Sequence, residues 1–242
     1  MIISKEHFAP ATTPKKDIFF PAILRPFKCD HLVRLGQDYD GGYIVNSQDI
    51  DKSDILISIG IKDDWSFEMD FSKIKDCEMV CLDKESQVSS DDVFYTGHRQ
   101  MIYKNIGLEE SPDTISFDHI INIPSNKIFL KMDVEGEEYK FLDLLIQNSH
   151  KFSSICMEFH CLNEENNFDA LLNFIGKIDQ KLIHIHPNNC GMGFDKKWPH
   201  VIELSFTSSD NINYDPSLTL PHSLDMLCCP EGRDYQVTFF KP

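Results

Sequence analysis

Acidic and imidazole side chains stand at the ends of several apolar runs, where they can transfer protons or bind a cation. Asp133 and Glu135 follow the run KIFLKM, and Glu158 and His160 end the run SICMEFH. A neutral imidazole accepts a proton near pH 7, and a carboxylate can orient it or accept hydrogen bonds from hydroxyl groups. A third run, KLIHIH, supplies a histidine and is followed by two amides: His186, Asn188 and Asn189. These residue types favour proton transfer involving a polar small molecule.

A second group of residues indicates a nucleoside site. The stretch ILISIGIKDDWSFE (55–68) is typical of a buried strand, a tight turn and a helix start. In an open α/β sheet, ligands bind at such a turn. The next apolar run, EMVCLD, ends in Asp83, roughly twenty residues after the turn, where an acid can bind both hydroxyls of a ribose.

The turn itself restricts what the nucleoside can carry. It lacks the second and third glycines of the GxGxxG pattern, so a dinucleotide is disfavoured, and an NAD-dependent enzyme is the weaker alternative. An acidic, aromatic loop suits a cation such as a sulfonium. S-adenosylmethionine (SAM) combines a ribose with a positive sulfur. The candidate cofactor residues are Gly60, Ile61, Asp63, Glu68, Asp83, Asp133 and Glu135.

Alternating strands and helices are expected to position these side chains. The predicted strands are 55–59, 78–83, 98–104, 127–135, 154–160, 181–186 and 200–206. The predicted helices are 65–74, 114–121, 136–146 and 166–179. This alternation favours an α/β fold with a largely parallel sheet covered by helices on both faces. The carboxyl ends of parallel strands share one rim, so the polar groups should converge there.

The flanking segments are expected to decorate that core. Residues 32–35 and 43–45 surround Asp40-Gly41-Gly42, a turn signal that predicts a β-hairpin in front of the core. Residues 1–27 contain four prolines and are expected to wrap the surface or form a short helix. The tail after 207 has apolar stretches suited either to an added strand or to a dimer contact.

Three stretches together resemble the FkbM-like family of SAM-dependent methyltransferases. They are VRLGQDYDGGYIV, LISIGIKDDWSFE, and FLKMDVEGEEYKFL followed by SICMEFH and HIHPNN; KMDVEGEE is the most specific. The resemblance implies a class I methyltransferase (Rossmann-like) fold, in which the last of seven strands is antiparallel. It also implies O-methylation of a sugar or sugar nucleotide, in surface-polysaccharide or natural-product biosynthesis. Lys62 departs from the family pattern, which often has glycine there.

The resemblance assigns roles to the rim. The Gly60 loop would run past the methionine part of SAM, and Asp83 would hold the ribose. Asp133 and Glu135 would line the site of the cofactor and of the acceptor. The catalytic candidates are His160, Asp133, Glu158 and His186, with a histidine as general base. The acceptor candidates are Asp40, Tyr43, Lys131, Asn188 and Asn189. The alternatives are that each histidine is structural and that Asp133 and Glu135 cap the following helix.

Metal binding is a weaker expectation. Asp133, Glu158, His160 and His186 are suitable ligand types, but no close spacing such as HExxH supports them. The eight cysteines are expected to be reduced thiols. The spacing of Cys77 and Cys81, and of Cys228 and Cys229, matches no CxxC zinc motif.

Composition limits the partners and the organisation of the chain. The 242 residues suit a single domain, with an extension and hairpin at 1–50, a cofactor-binding core at 51–207 and a tail at 208–242. A formal charge of −16 opposes binding to nucleic acid or to an anionic membrane surface. No apolar run is long enough to span a bilayer and no signal peptide is recognisable, so we expect a cytoplasmic protein with a small-molecule acceptor, and a homodimer is an option. The rival from another class is a non-catalytic nucleoside-binding module of the same fold.

Overall fold

A seven-stranded sheet forms the centre of the protein in the computed structural model, which describes residues 16–87, 94–190 and 198–240. The strands in these ranges are β1 (Lys16–Phe20), β2 (Leu32–Leu35), β3 (Tyr43–Asn46), β4 (Ile55–Ile59), β5 (Glu78–Leu82), β6 (Arg99–Ile102), β7 (Asn105–Gly107), β8 (Thr114–Ser116), β9 (Ile128–Met132), β10 (Phe152–Phe159), β11 (Lys181–Pro187), β12 (Ile202–Thr207) and β13 (Tyr235–Phe239). The α-helices are α1 (Ser47–Lys52), α2 (Ser66–Ile74), α3 (Phe117–Ile121), α4 (Leu142–Gln147) and α5 (Glu165–Lys177). Short 3-10 helices cover Ala22–Leu24, Glu138–Lys140 and Ser149–Lys151.

The order of the central sheet is β11-β12-β10-β9-β4-β5-β6. Every pair is parallel except the two that β12 makes, with β10 and with β11. Of the strands in this sheet, β12 comes last in the sequence and is the antiparallel one. The predicted α/β fold of the class I methyltransferase type is confirmed.

Alternating side chains of the central strands feed two apolar cores on opposite faces, as the two-residue repeat of a strand requires. Ile55 and Ile57 of β4 pack with residues of α4 and α5, whereas Leu56 packs with Phe67 and Phe71 of α2. Helices cover both faces of the sheet.

The hairpin β2-β3 is present as predicted, with Leu35 opposite Tyr43. Strand β3 contacts β10, β11 and β12, and the Ser205 hydroxyl donates to the Ile44 carbonyl at 2.6 Å. The hairpin thus covers the α2 face of the sheet at its antiparallel side. This placement brings Tyr43 above the rim.

Some predicted elements were wrong in extent or type. Residues 114–116 form β8, paired in parallel with β7, and only Phe117–Ile121 is helical. The predicted helix at 136–146 is a 3-10 turn at Glu138–Lys140 followed by α4. The N-terminal segment contributes a strand as well as a short helix: β1 pairs in parallel with β13 of the tail. Residues 1–15 of the predicted surface segment lie outside the described residues.

Within the described ranges, no helix combines the length and the apolar character that crossing a membrane requires.

Candidate functional site

A cavity of about 340 Å³ lies between the carboxyl ends of the parallel strands and the turn of the hairpin. Ten of the candidate residues line it: Asp40, Tyr43, Gly60, Ile61, Lys131, Asp133, Glu135, Glu158, His160 and Asn188. Five others lie outside its lining: Asp63, Glu68, Asp83, His186 and Asn189. The convergence of strand ends that the sequence predicts therefore brings ten of these residues around one cavity.

Gly60 sits where the strand ends of β4, β5 and β9 meet. Its backbone N–H donates to the Leu82 carbonyl at 2.9 Å, and the Asp133 N–H donates to the Ile59 carbonyl at 2.9 Å. Gly60 has φ +78°, and a Cβ atom there would lie 1.6 Å from the Asp133 carbonyl oxygen. Only glycine permits this close crossing of two backbone segments. The crossing leaves backbone exposed to the cavity, which is what a tightly held ligand needs.

Asp83 lies on the other side of the Gly60 loop. One of its carboxylate oxygens accepts from the Lys62 N–H at 2.7 Å, and the other accepts from the N–H groups of Glu85 at 2.7 Å and Ser86 at 3.2 Å. The oxygen bonded to Lys62 accepts only one hydrogen bond and retains lone-pair capacity for a ribose hydroxyl, whereas the other oxygen already accepts two. Asp83 therefore fixes the loop and can bind a sugar. Asp63 accepts from the Gln87 N–H at 2.8 Å beside it.

His160 is held by a buried carboxylate that sequence reasoning missed. Its Nδ1 lies 2.5 Å from Oε1 of Glu138, which is fully buried. Its Nε2 faces three acids, at 3.5 Å from Glu135, 3.5 Å from Glu158 and 3.7 Å from Asp133. Burial lowers the pKa of His160, but the Glu138 hydrogen bond and the surrounding charges outweigh it, so the pKa is raised. Nε2 is thus the ring nitrogen available to a ligand in the cavity.

Tyr43 closes the hairpin side of the cavity. Its hydroxyl donates to Oε1 of Glu158 at 2.8 Å and lies 3.3 Å from Oδ2 of Asp133. Burial and the charges of Asp133 and Glu158 raise the pKa of Tyr43 well above its ordinary value. The tyrosine stays neutral and orients the two carboxyl groups.

Lys131 is a buried positive charge beneath the cavity. Its Nζ lies 3.5 Å from the Gly60 carbonyl and 5.1 Å from the centre of the Tyr43 ring. Burial lowers the pKa of Lys131, but the charges of Glu68 and Asp133 raise it more. Glu68 is itself fully buried and accepts a short hydrogen bond from Ser58. The charge of Glu68 therefore helps to keep Lys131 protonated below the Gly60 loop.

Acidic groups outnumber cations around the cavity. Burial raises the pKa of Glu158 well above its ordinary value, and the charges of Asp133 and Glu203 raise it further. Glu203 stands opposite both Glu158 and His186 in the sheet. A positively charged ligand would relieve this repulsion, whereas a phosphate would increase it.

The acids also suit a divalent cation. Ligand atoms of Asp133, Glu158 and His160 all lie within 4.8 Å of one another. Two carboxylates with one imidazole are a common ligand set for such ions. Of the four residues considered from the sequence, His186 belongs to a different cluster.

Amides connect the rim to neighbouring segments. Asn188 donates to Asp40 at 3.3 Å, whereas Asn189 donates to the Cys229 carbonyl at 2.9 Å. Asn188 therefore lies at the cavity mouth and Asn189 holds the tail. Residues 191–197, which follow these amides in the sequence, lie outside the described residues.

Glu138 and Glu203 are the site residues that the sequence argument did not select. Glu138 stands in the motif KMDVEGEE but was assigned to a helix start. Glu203 interrupts the apolar strand HVIELSF, and an acid inside such a strand is a signal for a buried polar contact. The Glu203 signal is visible in the sequence once the polar residues of central strands are read by face, whereas Glu138 lies in a 3-10 turn and gives no such signal.

Comparison with known proteins leaves the family open. No protein-family model matches the chain, and no curated protein has a significant sequence match. Fibrillarin in its complex with Nop5p is 10% identical with a TM-score of 0.37, over 64% of this chain and 72% of that chain. The Methanococcus jannaschii fibrillarin pre-rRNA processing protein is 9% identical with a TM-score of 0.38, over 65% and 67%. A Streptococcus mutans protein provisionally described as a SAM-dependent methyltransferase is 10% identical with a TM-score of 0.36, over 66% and 46%.

Scores of this size carry no argument about the site. The class I methyltransferase type of fold follows instead from the strand order of the central sheet and from β12, which runs antiparallel to both of its neighbours there.

Proposed function

We propose that the protein is a SAM-dependent O-methyltransferase of the FkbM-like type, acting on a hydroxyl of a sugar or sugar nucleotide. The observation that carries the proposal is His160, whose Nδ1 is held by Glu138 while its Nε2 faces the cavity beside the Gly60 loop. This is the arrangement of an oriented general base. The expected pathways are surface-polysaccharide or natural-product biosynthesis in the cytoplasm.

The residues present fit SAM. The close crossing at Gly60 opens backbone to a ligand, and Asp83 keeps acceptor capacity for ribose hydroxyls. The acids Asp133 and Glu135 in the cavity wall would stabilise a positive charge. When bound, SAM supplies a methyl group on a positively charged sulfur.

The protein's own contribution to the reaction is positioning and proton removal. A sugar hydroxyl has a pKa far above neutrality, so its proton must be taken as it reacts. In the proposed mechanism Nε2 of His160 accepts that proton, and Glu138 stabilises the imidazolium through Nδ1. Asp40 and Asn188 at the mouth would hydrogen-bond the other hydroxyls of the acceptor.

We propose that transfer needs no metal at Asp133, Glu158 and His160. His160 as a base must keep a free lone pair at Nε2, and a cation there would take it. Addition of Mg²⁺ or Mn²⁺ should leave turnover unchanged. A strict requirement for either ion would replace the general-base mechanism by metal-assisted activation of the hydroxyl.

The experiment is methyl transfer from labelled SAM to a panel of neutral sugars, amino sugars and sugar nucleotides. His160→Ala should abolish transfer while leaving binding of S-adenosylhomocysteine intact. Tyr139→Phe is the control, because the Tyr139 hydroxyl donates to the backbone carbonyl of His160, at 2.5 Å. Saturable nucleoside binding with no transfer to any acceptor would instead favour a non-catalytic binding module.

A further inference from the structure

A second cluster of ligand-type side chains lies behind the cavity wall, where the proposed reaction does not use it. It consists of His186 on β11, Glu203 on β12 and Cys228 in the C-terminal tail. All three are buried, with exposed fractions of 4%, 5% and 4%. Buried together, a histidine, a carboxylate and a thiol offer a nitrogen, an oxygen and a sulfur donor atom.

The backbone fixes the positions of all three residues. The antiparallel register of β11 and β12 places His186 directly opposite Glu203. The tail is fastened by the Asn189 side chain, which donates to the Cys229 carbonyl at 2.9 Å and accepts from the Cys229 N–H at 2.8 Å. Cys228 is thereby held over the pair. The arrangement does not depend on flexible side chains alone.

The donor atoms have the spacing of a tetrahedral zinc site. Nδ1 of His186 lies 3.2 Å from Oε2 of Glu203, Sγ of Cys228 lies 3.2 Å from Oε1, and Sγ lies 3.9 Å from Nδ1. Zinc bonds of ordinary length at tetrahedral angles separate such donors by about 3.3 to 3.6 Å. Small side-chain rotations would therefore suffice to admit the ion.

The donor types select the metal. A thiolate beside an imidazole is a poor site for Mg²⁺ or Ca²⁺, which take oxygen ligands, and a good one for Zn²⁺. Charge agrees, because Zn²⁺ with one thiolate and one carboxylate is neutral overall. A neutral complex is far less costly to bury than separated charges.

We propose that His186, Glu203 and Cys228 bind one Zn²⁺ ion that fastens the C-terminal tail to the sheet. A water molecule completes the tetrahedral shell. The absence of a CxxC motif does not oppose this site, since its ligands come from three separate segments. The site uses none of the residues assigned to methyl transfer, although Glu203 stands opposite Glu158 of the cavity in the sheet.

The test is metal binding by the full chain with its thiols reduced. Metal-free protein titrated with Zn²⁺ against a chromophoric chelator should bind one ion per chain. Cys228→Ala should weaken that affinity on the order of a hundredfold or more, because loss of even an outer-shell partner can cost that much. Cys229→Ser is the matched control and should bind zinc like the wild type, since the Cys229 contacts to Asn189 are made by its backbone.

Two further readouts are the cobalt spectrum and the melting temperature. Co²⁺ bound in place of zinc should show the intense visible bands of four-coordinate cobalt and a thiolate-to-cobalt charge-transfer band in the near ultraviolet. Zinc should also raise the melting temperature of the wild type and not that of Cys228→Ala. The proposal is overturned if metal-free wild type does not bind zinc, if Cys228→Ala binds it equally well, or if the cobalt complex lacks the thiolate band.

Discussion

Nδ1 of His160 lies 2.5 Å from Oε1 of Glu138, so a fully buried carboxylate determines how the imidazole faces the cavity. The Gly136 N–H donates to the same carboxylate oxygen at 3.2 Å, which holds Glu138 in place. The pair resembles the base and orienting acid of other proton-transfer sites. This hydrogen-bonded pair makes His160 a candidate catalytic group.

The Glu138 charge should set the pH dependence of His160. The hydrogen bond and charge of Glu138 oppose the effect of burial and raise the pKa of His160, so the neutral base forms only at higher pH. Glu138→Gln should lower that pKa, because it removes the charge of the hydrogen-bonded carboxylate. The acid limb of the rate profile should move to lower pH by the same amount, and an NMR titration of the His160 ring checks the shift without any acceptor.

Glu137→Gln is the matched control for that experiment, because Glu137 is exposed and pairs with Lys140. It should leave the titration of His160 unchanged. Equal shifts in both variants, or no shift in Glu138→Gln, would show that Glu138 does not tune the imidazole.

Replacement of Gly60 should disrupt the site by more than the strain of a side chain at positive φ would cause alone. Gly60→Ala would place a Cβ atom 1.6 Å from the Asp133 carbonyl oxygen, so β4 and β9 must separate at the rim. Gly97→Ala is the control: Gly97 also has a positive φ, +69°, but a Cβ there meets nothing within 4 Å. The control should lose about 1 to 2 kcal/mol of unfolding free energy from strain alone.

The measurements for this pair are urea unfolding and binding of S-adenosylhomocysteine. Gly60→Ala should lose more stability than Gly97→Ala and should lose nucleoside binding, which Gly97→Ala retains. Similar losses of stability, with binding kept in both, would argue against a ligand site at the crossing.

Asp49 should make the fold less stable as pH rises. Burial raises the pKa of Asp49 to about 6, from 3.8, so the folded state favours the protonated carboxyl. That stabilisation is complete below the unfolded pKa of 3.8 and is lost as pH rises through about 6. Asp49→Asn should therefore be more stable than the wild type near neutral pH, by on the order of 1 to 3 kcal/mol.

Urea unfolding between about pH 4 and pH 8 measures this difference, and acid effects common to both proteins cancel in it. The gain should vanish towards the acid end of the range. Asp51→Asn, in the exposed part of the same helix, should show no such trend. A gain of equal size at every pH would mean that ionisation of Asp49 is not its cause.

Apolar periodicity was enough to predict the central sheet, but not every contact of the flanks. The runs at 55–59 and 154–160 are rich in apolar residues, and the structure places both in the interior of the sheet. The pairing of β1 with β13 joins segments at the two ends of the sequence. Neither segment has a sequence pattern that indicates its partner strand, so only the tertiary structure shows the pairing.

The location of the candidate site could be predicted from the sequence, but several of its contacts could not. The strand-end rule correctly indicated that Gly60, Asp133 and His160 converge, since all line one cavity. It could not show that Asn189 binds the tail or that Glu138 turns inward, because those contacts depend on local 3-10 and loop geometry. The roles of these residues in catalysis and binding are still predictions.

The central claim is that the rim between Gly60 and Asp83 binds SAM, and calorimetric titration with S-adenosylhomocysteine tests it most directly. We predict saturable binding at one site per chain, weakened about 10- to 100-fold by Asp83→Ala, which removes hydrogen bonds to an ionised group. Asp169→Ala, which replaces an exposed acid of α5, should bind like the wild type, and circular dichroism should show that both variants are folded. No saturable heat with the wild type, or undiminished affinity in folded Asp83→Ala, would contradict the account.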